Sequence, residues 1–91
     1  MHILQGVKTL ILQTPAQLAS HLRSLRKTRG LTQAALGRLI GLDQTRIAKI
    51  ERDPRRVSVG LLLQLLAALR VKVLLAPNGN HKPGGTKPTE W

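Results

Sequence analysis

Apolar residues recur along this chain with several different spacings, and each change of spacing marks an element. Leu18, Leu22 and Leu25 fall at i, i+4 and i+7, one buried stripe of an amphipathic helix. Leu36 and Ile40 make a second short stripe, and Ile47 and Ile50 a third. Residues 61–69, LLLQLLAAL, are apolar nearly all the way round. Then the period drops to two: Val71, Val73 and Leu75 alternate with Arg70, Lys72 and Leu74, as in a short strand. From Pro77 onward no apolar residue appears before Trp91. The pattern predicts a mainly α fold, four to five helices with one short C-terminal β-strand.

Polar punctuation sets the boundaries. Thr14-Pro15-Ala16-Gln17 starts the first helix: Thr14 at the N-cap, Pro15 at the first helical position, Gln17 closing a capping box. Gly30 ends it. Thr32 caps a second helix over Gln33–Ile40, with Ala35 where a capping box would need Glu or Gln. Gly41 marks a tight turn, and Asp43 caps a third helix from Gln44 to Arg52. Asp53-Pro54-Arg55-Arg56 ends that helix as a basic loop, and Ser58 caps a fourth over residues 59–69.

Residues 32–52, TQAALGRLIGLDQTRIAKIER, hold the offsets of a helix-turn-helix. Leu36, Ile40, Leu42, Ile47 and Ile50 lock two short helices together. Gly37 stands where the helices approach closely, and Gly41 where a positive φ is expected. At 100° per residue, Ile47 and Ile50 centre the buried face of the third helix. Thr45, Ala48, Lys49 and Arg52 turn the other way, with Gln44 at the exposed N-terminal edge. Such a face suits the DNA major groove. Gln44 can bond adenine N6 and N7, Thr45 a base edge or a thymine methyl, and Ala48 can pack on that methyl. Arg46, Lys49 and Arg52 are expected on phosphates, together with Arg55 and Arg56 of the basic loop.

Charge narrows the partner. Fifteen Lys and Arg against four Asp and Glu give a net charge of +11, which favours a polyanion. The chain has no Phe or Tyr and a single Trp. Single strands and RNA are usually held on aromatic platforms, so the charge points to double-stranded DNA. The longest apolar run is too short to span a bilayer, no signal peptide is expected at residues 1–12, and no membrane partner is expected. No Cys is present, which excludes disulfides and thiolate metal sites and fits a reducing cytoplasm, at the nucleoid.

Three regions follow: an N-terminal arm or short strand at 1–13, a DNA-binding and dimerisation domain at 14–76, and a disordered tail at 77–91. A chain of 91 residues buries a thin core, so a homodimer is expected. The all-round apolar fourth helix and the orphan strand are the candidate interface, through Leu62, Leu66, Leu69, Val71, Val73 and Leu75. The strand would pair with its copy in a second subunit or with the N-terminal segment. Trp91 is a candidate anchor for a partner's pocket or a protease.

Catalysis finds little support. His2, His21 and His81 share no metal-ligand spacing, and Gly84-Gly85 opens no helix that could cradle a phosphate. No metal, cofactor or enzymatic activity is expected.

The stretch LRSLRKTRGLTQAALGRLIGLDQTRIAKIE, extending to residue 69, resembles the phage-repressor helix-turn-helix domains of the Xre and Cro kind. The resemblance implies that Gln33, opening the second helix, holds a phosphate, and that Gln44 reads bases. It also implies a structural ion pair between Arg26 and Glu51. The Thr-Pro-x-Gln-Leu start, the valine-rich strand and the polar tail ending in Trp together resemble the HipB-type antitoxins. That narrower likeness implies a homodimer with an intersubunit sheet, autoregulation of an operon and a HipA-like kinase toxin as partner; a dimer of such domains is expected to bind a palindromic operator. The alternatives are a free-standing phage-type or metabolic repressor, and a protein-interaction module with a vestigial DNA face.

Overall fold

The computed structural model describes residues 9–78. Helix α1 spans Pro15–Thr28, α2 Gln33–Ile40, α3 Gln44–Arg52 and α4 Val59–Ala68, with a single 3-10 turn at Pro54–Arg56 between α3 and α4. Residues 1–8 and 79–91, with most of the expected arm and tail, His2, His81 and Trp91, lie outside the described residues.

Every helix start is capped by a side chain. Thr14 Oγ1 accepts from the Gln17 amide at 3.1 Å while Gln17 Oε1 accepts from the Thr14 amide at 3.1 Å, a closed capping box. Thr32 accepts from Ala35 N–H, Asp43 from Arg46 N–H and Ser58 from Leu61 N–H. Three helix ends also share one device. A left-handed residue closes the helix, at the C-cap in α2 and just after it in α1 and α4, and the next N–H reaches back to a carbonyl in the last turn. At α1 this is Gly30, φ +72°, with Leu31 N–H on the Arg26 carbonyl at 3.1 Å. At α2 it is Gly41, φ +76°, with Leu42 N–H on the Gly37 carbonyl at 2.8 Å. A Cβ on Gly37 would collide with the Leu42 carbonyl, so the turn closes only over a bare backbone.

Leu22, Leu36, Ile47, Ile50, Leu65, Leu66 and Leu69 form the buried core, and Leu18, Leu25, Leu31, Ile40, Leu42, Val57, Leu61 and Leu62 pack around it. Helix α3 lies against α1 and α2, and α2 against α4. Full burial of each Leu or Ile contributes about 1.5–3 kcal/mol, so the core fixes α3 firmly by one side.

The structure corrects or refines the expectations at four places. Leu66 and Leu69, expected at a dimer interface, are 7% and 2% exposed and belong to the protomer's own core. The exposed stripe of α4 instead runs through Val59, Leu63 and Ala67. Arg70, expected to open a strand, is left-handed at φ 62° and ends α4, with Val71 N–H on the Leu66 carbonyl at 2.8 Å. The loop after α3 is a 3-10 turn on a buried Pro54, capped by Asp53. Residues 9–12 carry no strand; they lead into α1, held where the His21 Nε2 donates to the Ile11 carbonyl at 2.7 Å. No strand is assigned among the described residues. Among the described residues, 71–75 therefore have no strand beside them.

Candidate nucleic-acid interface

With Ile47 and Ile50 buried, the rest of α3 is turned outward by helical geometry. Gln44, Thr45, Arg46, Lys49 and Arg52 are exposed, and Ala48 is half-buried at the edge of the face. Gly41, Leu42, Asp43, Thr45, Arg46 and Lys49 line a shallow open depression across the turn and the start of α3. Three cations and two short polar side chains therefore share one surface, as contact with phosphates and base edges requires.

Behind that face lies a buried charge network. Glu51 stands beside Ile47 on the inner side of α3 and is 4% exposed; Arg26, from α1, is 8% exposed. Arg26 Nε donates to Glu51 Oε2 at 2.6 Å and Nη2 to Oε1 at 3.1 Å. Arg26 Nη1 donates to the Leu31 carbonyl at 2.9 Å, so the arginine ties α1, the α1–α2 turn and α3 together. Gln33 Nε2 adds a third donor to Glu51 Oε1 at 3.1 Å. A carboxylate only accepts, so it fixes which end of the Gln33 amide faces inward. The amide retains a second N–H at the first turn of α2, whose free backbone N–H groups favour an anion.

The basic loop is arranged differently. Arg55 Nε and Nη2 donate to Asp53 Oδ1 and Oδ2 at 2.8 and 3.1 Å, an exposed pair beside α3. The Arg55 side-chain hydrogen bond holds the Asp53 carboxyl below its ordinary value, and the same bond raises the Arg55 guanidinium. Arg55 therefore meets a phosphate only in competition with its own neighbour, whereas Arg56 is exposed and in no ion pair among the described residues.

The expected base and phosphate residues of α3 thus lie on one face, Gln33 borders it at the start of α2, and Arg26 and Glu51 meet behind it. Two features escaped the sequence. The tie from Gln33 to Glu51 crosses 18 positions with no local signal. The Asp53–Arg55 spacing of two does not bring side chains together on an α-helix; the Pro54 turn does so here. Among the described residues no group of three or more His, Cys, Asp or Glu could hold a metal ion, and no helix is long and apolar enough to cross a membrane.

Comparison with known proteins gives consistent likenesses. Antitoxin HipB of Escherichia coli strain K12 is 29% identical over 80 residues, covering 86% of this chain and 91% of that protein. The solved structure of a HipB-O1-O2 complex matches with a TM-score of 0.69 at 26% identity, over 76% of this chain and 100% of that one. A HipA-HipB-O2-O3 complex matches with a TM-score of 0.69 at 26% identity, over 76% and 97%. The helix-turn-helix family model matches residues 22–75, from the middle of α1 past the end of α4. By that match, and by the turn geometry described above, the chain belongs to the helix-turn-helix family.

Proposed function

We propose that this protein is a dimeric, sequence-specific repressor of double-stranded DNA, the antitoxin of a HipA-like kinase toxin, and that it represses its own operon. One observation carries the DNA reading: α3 is pinned by Ile47 and Ile50 and presents Gln44, Thr45, Arg46, Lys49 and Arg52 outward as one polar and basic face. The antitoxin reading is supported by likeness to HipB over nearly the full length of both chains, and by HipB's presence in a complex with HipA. Gln44 and Thr45 read base edges and Ala48 packs against a methyl. Gln33, Arg46, Lys49, Arg52 and Arg56 hold phosphates, with Arg55 joining once released from Asp53.

The dimer uses what the core leaves free. Val59 and Leu63 of α4 are 71% and 50% exposed, and Leu74 and Leu75 are 76% and 91% exposed. Two copies joined along these positions, with residues 71–75 paired across the axis, cover both sets of apolar side chains. A two-fold dimer then reads a palindrome whose half-sites lie about one helical turn apart, ~34 Å.

The test is titration of the purified protein against duplex DNA from upstream of its own gene, beside a scrambled duplex, with the neighbouring toxin present or absent. Gln44→Ala is expected to cost ~1–3 kcal/mol on the operator and to relax its base preference. Lys49→Ala weakens both duplexes alike and reduces the salt slope. Equal affinity of the wild type for operator and scramble refutes the repressor; failure to bind the toxin leaves a free-standing repressor.

A further inference from the structure

We propose that Asp43 is a specificity-determining residue that selects a cytosine in the major groove, its free carboxylate oxygen accepting from the cytosine N4 amino group. This rests on the DNA reading above and adds to it a base and the atom that reads it.

The described residues hold three carboxylates, and they are treated differently. Glu51 is bound by Arg26 and Asp53 by Arg55. Asp43 is in no ion pair among the described residues, although Arg46 and Lys49 line the same depression. Its Oδ1 accepts the Arg46 backbone N–H at 2.8 Å, as the cap of α3. That bond holds the carboxylate among the residues that line the depression, Thr45 with them, and Oδ2 is left to accept from outside. Asp43 is exposed, so water satisfies that oxygen in the free protein.

On DNA the water is displaced and the carboxylate enters the field of the phosphates. A negative charge at this position weakens binding to every duplex unless a donor meets it. The major groove offers two: cytosine N4 and adenine N6. Adenine carries its own acceptor, N7, beside N6, and a carboxylate oxygen drawn toward N6 is repelled by it. Cytosine presents N4 with no acceptor of its own on that edge. The residues at the start of a recognition helix are also those that reach base edges. Asp43 therefore acts mainly by exclusion: it lowers affinity for all sites except those that place a cytosine under it.

The experiment selects binding sites from a randomised duplex library with the wild-type protein, Asp43→Asn and Asp43→Ala, and measures the affinity of each for the selected sites and for random duplex. Asn caps a helix as well as Asp, so Asp43→Asn retains α3, which circular dichroism checks. The wild type is expected to select a C·G pair at one position of each half-site and to lose about tenfold when that pair alone is changed. Asp43→Asn shifts that position toward adenine, Asp43→Ala loses preference there, and both bind random duplex more tightly than the wild type. Unchanged cytosine preference in Asp43→Asn, or random-duplex affinity unchanged in both variants, overturns the proposal while the DNA reading stands. A wild type that binds no duplex overturns both.

Discussion

The molecule contains the same contact twice, once buried and once exposed. Arg26 grips Glu51 through Nε and Nη2 at 2.6 and 3.1 Å; Arg55 grips Asp53 through the same two nitrogens at 2.8 and 3.1 Å. The side chains of the first pair are 10% and 6% exposed, those of the second 68% and 37%. Distance therefore does not rank them. In the interior neither charge has water as an alternative, so each is indispensable to the other. At the surface water and salt replace either partner at little cost. The buried pair holds α1 to α3; the exposed one only sets where a cation of the basic loop rests.

The strongest way to break this contrast is Arg26→Ala. It leaves Glu51 buried with Gln33 as its remaining side-chain donor, and is expected to destabilise by ~3–5 kcal/mol. Arg29→Ala, removing an exposed charge three residues on, should stay within about 0.5 kcal/mol. Urea unfolding of the two variants side by side checks this, and equal midpoints refute the role given to the pair. Replacing both partners with apolar residues, Arg26→Met with Glu51→Leu, should lose less stability than Arg26→Ala alone, because no charge is left stranded. Gln33→Ala comes next. It removes one of Glu51's three donors and should cost ~1 kcal/mol of stability, while operator binding is expected to fall further, because the phosphate contact proposed for Gln33 goes with it.

Asp53→Asn should give the smallest change, visible as a slightly lower melting temperature in dilute buffer and absent in strong salt. Its pH dependence has a definite sign. The Asp53 carboxyl is held below its ordinary value of 3.8 by the Arg55 hydrogen bond. A lowered value means that the contribution is present above 3.8 and is lost as pH falls through the folded value. Melting curves of wild type and Asp53→Asn should therefore converge in acid, and a gap that widens there contradicts the assignment.

Local chemistry was legible in the sequence; the choice between equivalent faces was not. Thr14, Thr32, Asp43 and Ser58 announce their helices because a cap and its N–H donors lie within three residues of each other. The bounds of α2 and α3 follow directly. The inward face of α4 did not follow, because a helix that is apolar all round has no stripe to read. Leu66 and Leu69 look like Leu63 in sequence, and only the position of the other helices decides which are buried. The left-handed Arg70 was hidden for a related reason: at a helix end the signal is glycine, and this end does without one. The α3 face was legible because Ile47 and Ile50 leave only one side outward. The tie that orients Gln33 was not, since a glutamine and a glutamate 18 residues apart carry no sign that they will touch.

Arg70 also bears on assembly. Two helix ends reach the left-handed turn with glycine, whereas α4 reaches it with a side chain that disfavours that conformation by about 1 kcal/mol. Glycine would remove the strain but admit many exit angles. Arginine admits few, and the Val71 N–H bond to Leu66 closes the choice. The segment beyond α4 thus leaves the domain already aimed. In the dimer proposed above, two copies that meet along it would forfeit less freedom than two loose ends, and preorganisation of this kind strengthens association without adding a single contact.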